Sequence, residues 1–182
     1  DEAAFKEHDE DLGFYTPILK GFLTELGFEA ANHGMQVYGG HGYIKEWGME
    51  QIVRDSRIST LYEGTTGIQA LDLSGRKVLL SSKGKVIRDY TAEILKFCGQ
   101  HATNKYMRRF AWDLTKICAQ WNALTVRLML AARKDRDAVS SASVDFLMFS
   151  GYVMMAYFWA QQAAAASEKL ADGNGAEVPE FY

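Results

Sequence analysis

MRRFAWDLTKICAQWNALTVRLMLA, residues 107–131, decides the fold class. Met107, Phe110, Leu114, Ile117, Trp121, Leu124, Leu128 and Ala131 recur at alternating steps of three and four. That spacing lines apolar side chains along one stripe of a helix, in the manner of a bundle seam. Downstream, Val139, Ala142, Phe146, Phe149, Val153, Ala156, Ala160 and Ala163 repeat it with small residues that let a neighbour approach closely. Upstream, Ile87, Tyr90, Ile94 and Phe97 make a shorter stripe. The helices near 105–133 and 138–170 are therefore expected to pack as a long antiparallel pair with Trp121 and Phe149 buried.

The rest of the 182 residues agrees with an all-α class. Only two are proline, 48% are apolar and the formal net charge is -3, which excludes disorder for the bulk of the chain. Long stretches rich in Ala, Leu, Met, Lys and Glu favour helix over sheet. Cys98 and Cys118 are too few and too isolated for a disulfide framework or a metal knuckle, which suits a reducing compartment.

Nearer the N-terminus, Thr16-Pro17 reads as an N-cap followed by proline at the first helical position. Leu19, Phe22, Leu23, Leu26, Ala30 and Val37 then repeat at helical spacing. Glycines 39, 40, 42 and 48 stop that helix and open a loop whose backbone lies close to something. A short helix is expected over Met49 to Ser56 and another from Ile68 through Val78. The polar run Ser81-Ser82-Lys83-Gly84 is the expected boundary between segments 1–82 and 83–182, and Ala171 to Tyr182 is expected to fray.

Several chemistries fail on spacing. Gly40-His41-Gly42 lacks the third glycine and preceding strand of a dinucleotide fingerprint. Glu29 and His33 lie one helical turn apart, but a di-iron bundle needs a second such pair and two more carboxylates, so no metal is expected. No nucleophile elbow is present, and His8, His33, His41 and His101 have no assignable partner. The basic run Lys105 to Arg136 has no aromatic platform and reads as a solvated helix face rather than a nucleic-acid surface. Phe146 to Ser167 is 22 residues without a charge, long enough to span a bilayer. Gln161-Gln162 inside it, and flanks of Asp145 and Glu168 rather than Lys or Arg, favour a central bundle helix.

Two remaining segments carry chemistry. Met35-Gln-Val-Tyr-Gly-Gly-His-Gly-Tyr43 and Arg54-Asp-Ser-Arg-Ile-Ser-Thr-Leu-Tyr-Glu-Gly-Thr-Thr-Gly-Ile-Gln69 together resemble the C-terminal helical domain of acyl-CoA dehydrogenases. The family pattern is a Q-x-x-GG-x-G-Y loop, then R-D-x-R-I, then Y-E-G-T-S-x-I-Q. The chain departs from it at Gly67, where the commoner residue is acidic or polar. Residues 85–182 resemble the additional helical domain of larger members, the 3-methylmercaptopropionyl-CoA dehydrogenases among them.

The resemblance implies a chemistry for these residues. Glu63 would be the base that takes the α-proton of an acyl-CoA thioester while the β-hydrogen leaves as hydride to FAD. Burial would raise its pKa toward neutrality, and such a base contributes roughly 10²- to 10⁴-fold. Its backbone N–H would polarise the thioester carbonyl. Tyr62 and Gly64 would meet the substrate, and Gln36, Val37, Tyr38, Gly39 and Gly40 would contact the adenosine diphosphate part of FAD held by a neighbouring subunit. Thr65, Thr66 and Gly67 would form a second FAD contact. Without the resemblance, Glu63 reads as a carboxylate favoured by a helix N-terminus and the loop as a helix stop.

The resemblance also implies an incomplete C-terminal bundle plus extension helices. The family's first two domains and the opening helices of the third would lie upstream of Asp1. An electron-transfer flavoprotein is the implied acceptor, and either the extension's helices or a second copy of the chain, in a homo-oligomer, would cover the apolar face left by missing helices. The alternative is a non-catalytic helical module for interaction or oligomerisation. With no basic, apolar leader at the start of the sequence, bacterial cytoplasm is preferred to the mitochondrial matrix.

Overall fold

The computed structural model describes the backbone of residues 2–135 and 137–171, and side chains from 8 to 135 and 137 to 169. Among these residues the fold is all-α. Helix α1 spans Glu2–Val37, followed by short 3-10 turns at Gly39–Tyr43 and Lys45–Trp47. Helix α2 is Met49–Arg57, closed by a 3-10 turn Ile58–Thr60. Helix α3, Thr66–Leu71, continues without a break into a π-helical stretch, Asp72–Ser81. Helices α4 (Lys85–His101), α5 (Arg108–Lys134) and α6 (Asp137–Ala171) complete it. The frayed tail expected beyond Ala171 lies outside the described residues.

Thr16 is not an N-cap. Helix α1 begins far upstream and carries Pro17 in its interior. Proline removes the N–H that Gly13 would otherwise receive, and the Thr16 hydroxyl donates to the Leu12 carbonyl at 2.7 Å. The buried face of α1 is Phe14, Pro17, Ile18, Gly21 and Phe22, whereas Leu19, Leu23 and Val37 of the expected stripe are exposed. Glycine chooses this face. A Cβ on Gly21 would stand 2.9 Å from a Leu147 methyl carbon, and one on Gly151 would stand 2.2 Å from the Phe22 ring. The two helices thus approach closely by each seating a large side chain over the other's glycine.

The seam of α5 is likewise displaced by one residue at every second step. Met107, Ala111, Leu114, Cys118, Trp121, Thr125 and Leu128 are buried, while Phe110 and Leu124 of the expected stripe are exposed and Ile117 is half-buried. The period is that of the expected stripe, and the buried face differs from it at every second step. Small residues lie inward at alternate positions, as they must where a large ring such as Trp121 fills the same layer. Helix α6 shows the same displacement: Phe146, Val153 and Ala160 are buried as expected, together with Leu147, Ser150, Met154 and Tyr157, but Phe149 is only half-buried. By length and composition, Asp137–Lys169 of α6 is the one described helix apolar enough to cross a membrane.

Two compact units form. One comprises Asp1–Lys83 with Leu128–Gly151, the other Gly84–Arg127 with Tyr152–Tyr182, so α5 and α6 each contribute to both. The second unit's core is aromatic. Tyr90 meets Trp121 and Tyr157 edge to face, each at 6.1 Å, a geometry that suits the ring quadrupoles. Tyr157 also donates to Glu93 at 3.1 Å, and Asn122 donates to Thr91 at 2.9 Å. Burial raises the Tyr157 phenol, and the bond to Glu93 adds to the rise. Cys98 and Cys118 are free thiols in this core. Burial pushes Cys118 up to about 12 and raises Cys98 as well.

Candidate active site

The segment between α2 and α3 turns sharply because two consecutive residues are left-handed: Glu63 at φ 54° and Gly64 at φ 88°. Glycine accepts that conformation freely, whereas glutamate is strained in it and persists there only when its surroundings hold it. Each flank is fixed by hydrogen bonds. Before the turn, the Leu61 and Tyr62 amides both donate to the Ile58 carbonyl, at 3.0 and 3.3 Å. After it, Thr65 caps α3, accepting from the Ile68 amide at 3.5 Å.

The turn itself is pinned at both carbonyls. Gln69 Nε2 donates to the Glu63 carbonyl at 2.9 Å, and Lys20 Nζ, from α1, donates to the Gly64 carbonyl. Thr66 donates its hydroxyl to Glu25, again on α1. The Lys20 ammonium also lies 5.9 Å from the centre of the Tyr62 ring. Glycine is favoured at 64 by its positive φ, and a Cβ there would stand 2.9 Å from Gln69 Nε2 and push that amide off the Glu63 carbonyl. The Glu63 side chain is exposed, not buried as expected of the base, and Tyr62 is half exposed.

Gln36, Val37, Tyr38, Gly39 and Gly40 close α1 and enter the glycine loop, all exposed. Trp47 braces this loop, with its ring 6.4 Å from Tyr38 and 5.8 Å from His41. Gly39 is left-handed at φ 58°, and a Cβ on the buried Gly42 would stand 2.4 Å from the Met35 carbonyl oxygen. These two glycines are demanded by the chain itself. Gly40 and Gly67 are not: neither has positive φ, and a Cβ on either would meet nothing within 4 Å. At both, the backbone faces open space. The Gln36–Gly40 segment lies about 16 Å along α1 from Glu25, at 1.5 Å per residue, so loop and turn are separate contact points on one helix.

Lys20 and Glu25 belong to no motif that would single them out in the sequence. Gln69 was within reach of the sequence, since it ends the motif that contains Glu63. Sequence spacing also gave no sign of a cleft of about 890 Å³ lined by Phe28, Met35, Tyr43, Arg54, Arg57 and Leu61 among others. Arg57 lies over the Phe28 ring at 5.3 Å in it. None of the expected site residues lines that cleft. Among the described residues no three His, Cys, Asp or Glu side chains gather, and Glu29 and His33 stand 3.5 Å apart as an exposed pair.

Comparison with known proteins assigns this arrangement to a family. The family model described as "Acyl-CoA dehydrogenase, C-terminal domain" matches residues 2–78, and that described as "Acetyl-CoA dehydrogenase C-terminal like" matches residues 90–182. The chain is 37% identical to 3-methylmercaptopropionyl-CoA dehydrogenase of Ruegeria pomeroyi over 97% of its own length and 30% of that protein's. It is 33% identical to the broad-specificity linear acyl-CoA dehydrogenase FadE5 of Mycobacterium tuberculosis, over 91% of this chain and 28% of that one. A shorter match, 41% over 32% of this chain and 15% of the relative, is to the caffeyl-CoA reductase-Etf complex subunit CarC of Acetobacterium woodii. The chain thus spans less than a third of each of these relatives. With family models matching residues 2–78 and 90–182, the chain belongs to the acyl-CoA dehydrogenase family and corresponds to its C-terminal portion.

Proposed function

We propose that this chain is the C-terminal part of a flavin-dependent acyl-CoA dehydrogenase, with Glu63 as the α-proton acceptor. The observation that carries this reading is the turn at Glu63. A non-glycine residue in the left-handed region, held by a hydrogen bond to its own carbonyl and another to the next, fixes the backbone from which an exposed glutamate side chain projects. Strain maintained in this way marks positions where geometry matters more than local stability. An acyl thioester with its α-carbon against Glu63 would lose a proton to the carboxylate, and the Glu63 amide would donate to the thioester oxygen as negative charge gathers there. Gly64 and the half-exposed Tyr62, on either side of the base, are the residues that would meet the substrate.

Gln36 to Gly40 and Thr65 to Gly67 are the residues that would hold FAD, through the bare backbone at Gly40 and Gly67. Bound FAD supplies the hydride acceptor for the β-hydrogen. Covered by the remaining domains, the exposed carboxylate would lose its water. The acyl-CoA substrate, an electron-transfer flavoprotein as acceptor and a homo-oligomeric assembly belong to the same proposal. Glu63→Gln in the full-length protein tests it: shape is kept and the base removed, so turnover falls at least tenfold, in line with the roughly 10²- to 10⁴-fold worth of a general base, with flavin content unchanged. Retention of more than about a tenth of the parent rate removes Glu63 from the role.

A further inference from the structure

We infer that Lys20 is a positioning residue for Glu63, acting from α1 through the Gly64 carbonyl; this rests on the reading of Glu63 as the base. The two carbonyl clamps are not equivalent. Gln69 is six residues from Glu63 and sits on α3, the helix that the turn itself begins, so it moves with the turn. Lys20 is 44 residues from Gly64 and belongs to α1, the helix whose far end enters the glycine loop. Only an anchor on α1 fixes the carboxylate in the frame of that loop.

The chemistry of the side chain suits the task. A left-handed pair at Glu63 and Gly64 turns the Gly64 carbonyl toward α1, and the half-buried Lys20 reaches it with a charge-assisted bond, stronger than one from a neutral donor. The Tyr62 ring beside the ammonium narrows its freedom. The tie from Thr66 to Glu25 lies on the next stretch of α1, so the turn is held on both sides of Thr65. Release of the Lys20 bond leaves Glu63 free to relax toward negative φ, which swings the carboxylate off its line to the substrate.

The test compares Lys20→Met, Lys20→Gln and Lys20→Arg with Glu63→Gln in the flavin-loaded, full-length protein. Met cannot donate and Gln is too short to reach, so both lose about 10- to 100-fold in kcat, the scale expected of an ångström-sized misplacement, with KM nearly unchanged. Arg restores the donor and most of the rate. Hydrogen–deuterium exchange at residues 62–66 quickens in the Met and Gln variants and not in the Arg variant, independently of turnover. If Glu63→Gln is inactive while a folded Met or Gln variant keeps the parent kcat, the positioning role is overturned and the base assignment stands. Loss that Arg does not rescue, or that follows flavin content, also overturns it. An active Glu63→Gln overturns both.

Discussion

Glu63 and Gly64 occupy the same unusual backbone region for different reasons, and substitution separates them. Gly64→Ala places a methyl group at φ 88° and 2.9 Å from Gln69 Nε2. It is expected to destabilise the chain by about 1–3 kcal/mol in chemical denaturation, since conformation and space both oppose it. Gly40→Ala, with no positive φ and open space, should leave stability within about 0.5 kcal/mol and lower flavin affinity in the full-length protein. The thiols give a pH prediction. Cys118 titrates at 9.0 ordinarily and at about 12 when folded. Between those values the folded state keeps a proton that the unfolded state has lost. Its contribution is therefore complete below pH 9 and declines as pH rises toward 12. Urea midpoints measured from pH 8 to 10.5 should fall, and a Cys118→Ala variant should fall less steeply. Among the site residues, Glu63 and Gly64 were legible because their neighbours in sequence make a specific pattern. Lys20 and Glu25 were not, since a lone charged residue on a helix says nothing about a carbonyl or hydroxyl some forty residues away.

At the level of elements, α5 shows what periodicity conveys and what it omits. Alternation of three and four fixed a helix and its seam, yet Phe110, Ile117 and Leu124 compete with Ala111, Cys118 and Thr125 for the inward face. Hydropathy favours the large set, and packing selects the small one. Close approach of a neighbouring helix needs small side chains between rings such as Trp121. Trp121→Ala should cost about 3–5 kcal/mol, the range for emptying a fully buried aromatic site, while Phe110→Ala should cost less than about 1 kcal/mol. Equal effects would return the seam to the larger residues. Helix α1 carried an analogous ambiguity: Thr16-Pro17 has the composition of a helix start, and only the packing of Phe14, Pro17, Ile18 and Phe22 carries the helix through it.

For the whole molecule, the all-α class and the order of helices followed from composition and spacing, but the division into units did not. One unit joins Asp1–Lys83 to Leu128–Gly151 and the other joins Gly84–Arg127 to Tyr152–Tyr182, each skipping the segment between, a partnership no local signal encodes. On α1, Leu12, Leu19 and Leu23 remain exposed although apolar. The 182-residue chain by itself is expected to self-associate through such surfaces. It is also expected to bind FAD with a dissociation constant weaker than about a micromolar, or 8 kcal/mol, because loop and turn offer only exposed backbone. Sedimentation velocity and a flavin fluorescence titration check the two outcomes separately.

The ten residues Asp72–Ser81 wind with i to i+5 bonds, as in the 3.1 Å contact from the Ser82 amide to the Lys77 carbonyl. This looser coil holds more residues per turn than its α neighbours and works as an expansion joint: it can give up a residue by tightening, where a regular helix would have to rotate everything downstream. Removing the exposed Arg76 should therefore lower the melting temperature far less than removing Lys116 from the middle of α5. Changes in chain length within this family should be better tolerated directly behind the glutamate turn than along the seams that follow it.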